Sequence, residues 1–134
     1  MSQNFLIDQN IVHKILRIAD VQPGDSVLEI GPGPGALTSA LLEAGAHVFA
    51  VELDNLFADQ LLRLQTADQR LHVFNADFLE FPLSCLPPSL KVVANLPYHI
   101  TAPILEKIFN SAPLFSTLTI MVQKEVAERM AAVA

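Results

Sequence analysis

The run Asn95-Leu96-Pro97-Tyr98 brings together three groups suited to chemistry on a nucleobase. They are a side-chain amide oxygen, a backbone carbonyl freed by the proline that follows it, and an aromatic face. The exocyclic N6 of adenine is a poor nucleophile because its lone pair is delocalised into the ring. Acceptors on both of its hydrogens favour a more pyramidal nitrogen whose lone pair can point at a methyl donor. The Asn95 side chain and the Leu96 carbonyl are candidates for those acceptors. Tyr98 could stack on a base swung out of its helix, which is worth about 1 to 3 kcal/mol. In-line attack on a sulfonium methyl group demands alignment rather than a strong base or a metal. The scarcity of other catalytic clusters agrees with this: His13, His47 and His72 have no partner pattern, and His99 adjoins the motif as a residue that shapes its loop.

A second group of residues could hold the donor. Gly31-Pro32-Gly33-Pro34-Gly35 joins an apolar strand pattern to a helical one, and glycine permits both a tight turn and close approach of backbone to ligand. Such turns also bind dinucleotides, but here the third glycine falls one position earlier than in G-x-G-x-x-G. That spacing disfavours a nicotinamide enzyme. Glu52 ends the next strand pattern, where a carboxylate can accept from both hydroxyls of a ribose; its alternative role is to cap the helix that follows. Asp77 ends the third strand pattern and could accept from an adenine amino group, although taken alone it is an ordinary solvated loop acid.

These residues need a frame to position them. Asp8 can cap a helix carrying Ile11, Val12, Ile15, Leu16 and Ala19 at helical spacing. Strands are expected at Ser26–Ile30, His47–Val51, Leu71–Phe74, Leu90–Ala94 and Leu118–Val122. Helices are expected at Ala36–Ala44, closed by Gly45, at Leu53–Leu64 and at Pro103–Asn110, with a further helix starting over Lys124–Met130. Pro82, Pro87 and Pro88 mark an irregular connection. Alternation of this kind predicts an α/β fold with a mostly parallel sheet flanked by helices.

Composition bounds the rest. A chain of 134 residues, 51% hydrophobic and 16% charged, suits one domain or part of one. Its apolar runs are much shorter than a membrane span, and no basic stretch leads into an apolar signal core, so a cytoplasmic location is expected. The single cysteine, Cys85, has no companion ligands at metal spacing. A net charge of −6 argues against a self-sufficient nucleic-acid binder. The scattered lysines and arginines, Lys107 among them, read as solvated helix faces and strand edges, so any grip on RNA is expected from elsewhere.

With glycine loop, acid and Asn-Leu-Pro-Tyr in this order, the chain resembles the small-subunit ribosomal RNA adenine dimethyltransferases of the KsgA type. The likeness runs through the whole chain. Gln3-Asn4-Phe5-Leu6 is similar to the family's N-terminal cofactor motif, Leu28 to Thr38 to its glycine loop, and Asn95 to Ile100 to its catalytic loop. Val122 to Ala127 resembles the segment after the fifth strand.

The resemblance implies a Rossmann-like fold that binds S-adenosylmethionine through Asn4, Leu6, Gly31, Gly33, Glu52, Asp77 and Asn95, with Asn95, Leu96, Pro97 and Tyr98 as the catalytic segment. It also implies dimethylation of two neighbouring adenosines near the 3′ end of small-subunit rRNA, with the rRNA or the subunit precursor as partner, no metal and a monomeric enzyme. Members usually carry a basic arm before Gln-Asn-Phe-Leu and continue beyond the counterpart of Ala134. Residues 1–134 are therefore expected to be the N-terminal, cofactor-binding portion of a methyltransferase domain. Two alternatives stay open: a non-catalytic cofactor-binding or ribosome-assembly fragment, and a relative of the large-subunit rRNA adenine methyltransferases.

Overall fold

The computed structural model describes residues 9–97, 101–111, 115–123 and 128–133. Helix α1 (Gln9–Ala19) turns Val12, Ile15 and Ala19 inward, the one-sided spacing that makes a helix amphipathic. Strand β1 (Ser26–Ile30), helix α2 (Ala36–Glu43), strand β2 (His47–Glu52), helix α3 (Asn55–Ala67) and strand β3 (Leu71–Asn75) follow. A short 3-10 turn at Leu83–Cys85 leads to strand β4 (Leu90–Pro97), helix α4 (Thr101–Asn110) and strands β5 (Phe115–Gln123) and β6 (Glu128–Val133).

The strands form one sheet in the order β3-β2-β1-β4-β5-β6. The first five are parallel, and β6 runs antiparallel to β5. Because side chains alternate across a strand, each face has its own apolar cluster. Leu28, Val92 and Leu118 meet Ile104 and Ile108 of α4 on one face. On the other, Val27, Val48 and Val93 meet Val12 and Ile15 of α1 and Leu37 and Leu41 of α2. Each of these buried Leu, Ile and Val side chains contributes about 1.5–3 kcal/mol, so both helical layers are held firmly to the sheet.

Local chemistry sets the helix ends. The Gly45 N–H bonds the Leu42 carbonyl and the Ala46 N–H bonds the Leu41 carbonyl, the paired bonds that close a helix before a glycine. Helix α3 starts two residues later than expected, because Asp54 is its cap: Oδ1 accepts from the N–H groups of Leu56 and Phe57 at 2.8 and 3.0 Å. Glu52 is thereby released from the capping role. Helix α4 starts at Thr101, with Pro103 inside the first turn where a missing N–H is harmless.

Two expectations are corrected. The helix expected over Lys124–Met130 does not include Glu128–Met130, which belong to β6; residues 124–127 lie outside the described set. Without β6 the outer flank of β5 would present a row of unpaired backbone groups. Antiparallel pairing from Leu118↔Val133 to Gln123↔Glu128 satisfies them and outweighs the local helix preference. Strand β4 also continues through Pro97 instead of stopping at Ala94, with Asn95, Leu96 and Pro97 in register with Met121, Val122 and Gln123 of β5.

Candidate active site

In a parallel sheet all the strands end at the same edge, and the crevice opens where successive connections leave to opposite faces. Here that point lies between β1 and β4. Helix α2, which follows β1, packs on one face, and α4, which follows β4, on the other. Strand β1 ends at Ile30 opposite Ala94, so the last three residues of β4 have a strand neighbour only on the β5 side. The expected glycine loop and the expected catalytic segment thus flank one opening.

The loop is built for close approach. Gly31 has φ +69° and its N–H bonds the Val51 carbonyl at 2.9 Å. A Cβ placed on Gly31 would sit 3.6 Å from the Asn95 carbonyl oxygen and 3.8 Å from Leu96 Cδ2. The two motifs are therefore in contact across the sheet. Gly35, at φ +92°, is the left-handed residue before α2, and a Cβ there would come within 3.1 Å of Leu61 on α3.

Glu52 links this loop to the next one. Its side chain is buried; Oε1 accepts from the Gly33 N–H at 2.7 Å and Oε2 from the Asp54 N–H at 2.8 Å. Each carboxylate oxygen has two lone pairs, which leaves acceptor capacity on both for a ligand's paired hydroxyls. Asp77 sits half-buried in the turn after β3, one strand further along the edge. Its Oδ1 accepts from the Leu79 N–H at 3.0 Å, and Oδ2 has no hydrogen bond among the described residues.

Asn95 Oδ1 is a buried acceptor without a hydrogen-bond partner among the described residues. A buried polar atom in that state costs about 1–3 kcal/mol, so its persistence here fits an acceptor reserved for a ligand N–H. Leu96 is 2% exposed, its side chain in the apolar cluster shared with α4, which anchors the segment. Pro97 ends the strand, where the lack of an N–H is tolerated. Asn4, Leu6 and Tyr98 lie outside the described residues. Gly31, Gly33, Glu52, Asp77 and Asn95 all fall on one sheet edge, and the groups present fit an adenosine-type cofactor: an acid for a ribose, a second acid for an amino group, and a side-chain-free turn beside the backbone carbonyl of Asn95, whose amide oxygen has no partner among the described residues.

Two residues near this edge were given no role from sequence. Glu29, in β1, is 1% exposed and accepts from the Thr38 hydroxyl of α2, joining strand to helix beneath the glycine loop. Burial raises its carboxyl pKa to about 8; the Thr38 bond acts in the opposite direction, and the charge of Glu52 adds to the rise. The available signal was an acid inside an otherwise apolar strand run. Lys107, read as a solvated cation, instead bonds the Phe81 carbonyl at 2.6 Å and also the Phe78 carbonyl. The signal for it was weaker, a single lysine between the buried positions Ile104 and Ile108. Cys85 is exposed, with its Sγ 3.0 Å from the Pro82 carbonyl. No cluster of three or more metal-ligating side chains occurs among the described residues, and no helix among them is long and apolar enough to cross a membrane.

Comparison with known proteins agrees with this geometry. The chain is 54% identical over 139 residues to the ribosomal RNA small subunit methyltransferase A of Protochlamydia amoebophila, a match covering 98% of this chain and 49% of that protein. The chain thus spans about half the length of the curated relatives it matches. The structure of the 23S rRNA methyltransferase ErmE superposes with a TM-score of 0.78 at 33% identity, over 90% of this chain and 48% of that one. A dimethyladenosine transferase from Plasmodium falciparum superposes at 0.76 with 29% identity, over 92% and 44%. The fold is accordingly the Rossmann-like methyltransferase fold. The family model described as ribosomal RNA adenine dimethylase matches residues 1–134, and with the glycine turn and the Asn95 segment flanking one crevice, the chain belongs to that family.

Proposed function

We propose that this chain is the cofactor-binding core of an enzyme that transfers methyl groups from S-adenosylmethionine to N6 of adenine, dimethylating two adjacent adenosines near the 3′ end of small-subunit rRNA. The observation that carries the reading is Asn95: its Oδ1 has no hydrogen-bond partner among the described residues, and its backbone carbonyl borders the Gly31 turn. Similarity to rRNA methyltransferases over nearly the whole chain supports the substrate class. Such a substrate belongs to the cytoplasm, and the partner is the rRNA or the subunit precursor, met by a monomer.

When bound, the cofactor supplies an electrophilic methyl group on a sulfonium sulfur. The residues of the chain bind and orient. Glu52 accepts from ribose hydroxyls while its bonds to Gly33 and Asp54 keep it fixed, and Asp77 accepts from the amino group of the cofactor's adenine. Gly31 admits the ligand close to the backbone, and Asn4 and Leu6 add contacts from the N-terminal segment. At the target, Asn95 Oδ1 and the Leu96 carbonyl accept the two N6 hydrogens, which turns the nitrogen lone pair outward. Pro97 sets the turn, and Tyr98 stacks on the extruded base. The N6 proton displaced by methylation passes to water, since in-line transfer needs alignment more than a strong base.

Methyl incorporation by the full chain into small-subunit and large-subunit rRNA, offered side by side, tests this reading. Incorporation into the small-subunit RNA that Asn95→Ala and Tyr98→Ala each strongly reduce is the expected result. Unchanged rates in both variants would remove the assignment, and a preference for the large-subunit RNA would favour the ErmE-like alternative, to which the fold similarity also points.

A further inference from the structure

The Lys107 ammonium joins α4 to the turn that carries Asp77. Its Nζ donates to the Phe78 carbonyl and, at 2.6 Å, to the Phe81 carbonyl, and it lies 4.8 Å from the centroid of the Phe78 ring. It is only partly exposed. Burial lowers its pKa below the ordinary lysine value, and the negative charge of Asp77 opposes that shift, so the cation sits within the electrostatic reach of this acid.

The turn it holds is built outward from Asp77. Asp77 Oδ1 accepts from the Leu79 N–H and the Asp77 carbonyl from the Glu80 N–H, both at 3.0 Å, while the Phe78 carbonyl accepts from the Phe81 N–H at 3.2 Å. These bonds engage the turn's N–H groups and leave acceptor capacity on the Phe78 and Phe81 carbonyls, which Lys107 takes up. Phe78 and Phe81 are themselves buried in the cluster that also holds Ile104 and Ile108 on either side of Lys107. Helix α4 begins at Thr101, just beyond the Asn95–Pro97 strand end. A single helix therefore adjoins the segment assigned to the acceptor base and braces the turn assigned to the cofactor's adenine.

We propose that Lys107 is a positioning residue for cofactor recognition: through the Phe78 and Phe81 carbonyls it holds Asp77 where that carboxylate meets the adenine amino group, so that α4 joins the adenine subsite to the methyl-acceptor subsite. This rests on the reading of Asp77 given under Proposed function. A role as a phosphate contact for RNA fits less well, because two of the three donors of the ammonium are already directed into protein carbonyls.

Calorimetric titration of the full chain with S-adenosylhomocysteine and with its 6-oxo counterpart S-inosylhomocysteine separates the possibilities, since only the first has a 6-amino group. Lys107→Met is expected to lose about tenfold in affinity for the adenine ligand, the scale of one hydrogen bond to a charged group, with the inosine ligand changed by less than about twofold on the same scale. Lys107→Arg retains donors for both carbonyls and should keep most of the preference. If melting curves show Lys107→Met unfolded, Lys107→Gln is read in the same titrations. Equal losses for both ligands, or a preserved adenine preference in a folded variant, overturn the proposal, as does weaker rRNA retention with unchanged ligand preference. Asp77→Ala distinguishes the underlying reading. If it leaves the preference intact, the role of Asp77 fails and that of Lys107 with it; if it abolishes the preference while Lys107→Met does not, only the positioning role falls.

Discussion

Glu29 makes the folded chain take up a proton, and that produces a stability slope that can be measured. The carboxyl is 1% exposed, lies between Leu28 and Ile30 in β1, and has its pKa raised from 4.5 to about 8, chiefly by burial. For an acid raised in this way, the contribution to stability is complete below pH 4.5, declines as pH rises, and is gone once pH passes about 8. At about 1.4 kcal/mol per pH unit, the window amounts to roughly 5 kcal/mol, a sizeable share of the 5–15 kcal/mol that holds a typical domain. Glu29→Gln keeps an acceptor for the Thr38 hydroxyl and cannot ionise, so this slope vanishes in the variant. Urea denaturation of both proteins without cofactor, in steps from about pH 5 to about pH 9, reads the difference as a trend and so is insensitive to any constant offset from the new amide. The gap should widen in favour of Gln by about 1.4 kcal/mol per pH unit until about pH 8 and then level off. A constant gap, or one that narrows, would refute the assignment of a buried, neutral Glu29.

Three further substitutions bear on the site. Asn95→Ala removes a buried acceptor that lacks a partner among the described residues, so denaturation should show stability unchanged or raised by about 1 kcal/mol, while methyl transfer falls on the order of 10²–10³-fold in kcat; a large loss of stability would contradict the description of that oxygen. Glu52→Gln turns one acceptor oxygen into a donor facing the N–H of Gly33 or Asp54, and cofactor affinity measured by calorimetry should fall by at least about tenfold. Gly31→Ala forces a side chain to φ +69° and fills the space beside the Asn95 carbonyl; a cost of about 1–2 kcal/mol in stability should accompany a greater proportional loss of cofactor binding, and equal affinity for wild type and variant would show that the ligand does not approach this turn.

Much of this was legible because the relevant interactions are local. The apolar runs of β1 to β5 and the one-sided pattern of α1 depend on side-chain periodicity along a few residues, and the glycines of the turn after β1 are required by φ values set within that turn. The order of the motifs along the chain was enough to suggest the family and the groups that would do the chemistry. Sequence reasoning failed where a partner distant in the chain decides. The segment Glu128–Met130 can form a helix by its own preferences, yet the open flank of β5 draws it into β6. Lys107 looked like any exposed helical lysine, because nothing near it in sequence shows that α4 lies against the carbonyls of Phe78 and Phe81. Glu52 could have capped α3 until Asp54 took that role and left its carboxylate to the glycine loop. Above all, the motifs at Gly31 and Asn95 become one site only through the strand order β3-β2-β1-β4-β5, which makes β1 and β4 neighbours and sends their helices to opposite faces. Residue types determined what chemistry was available, and the long-range pairing of strands, driven by burial of both sheet faces, decided which of those residues meet.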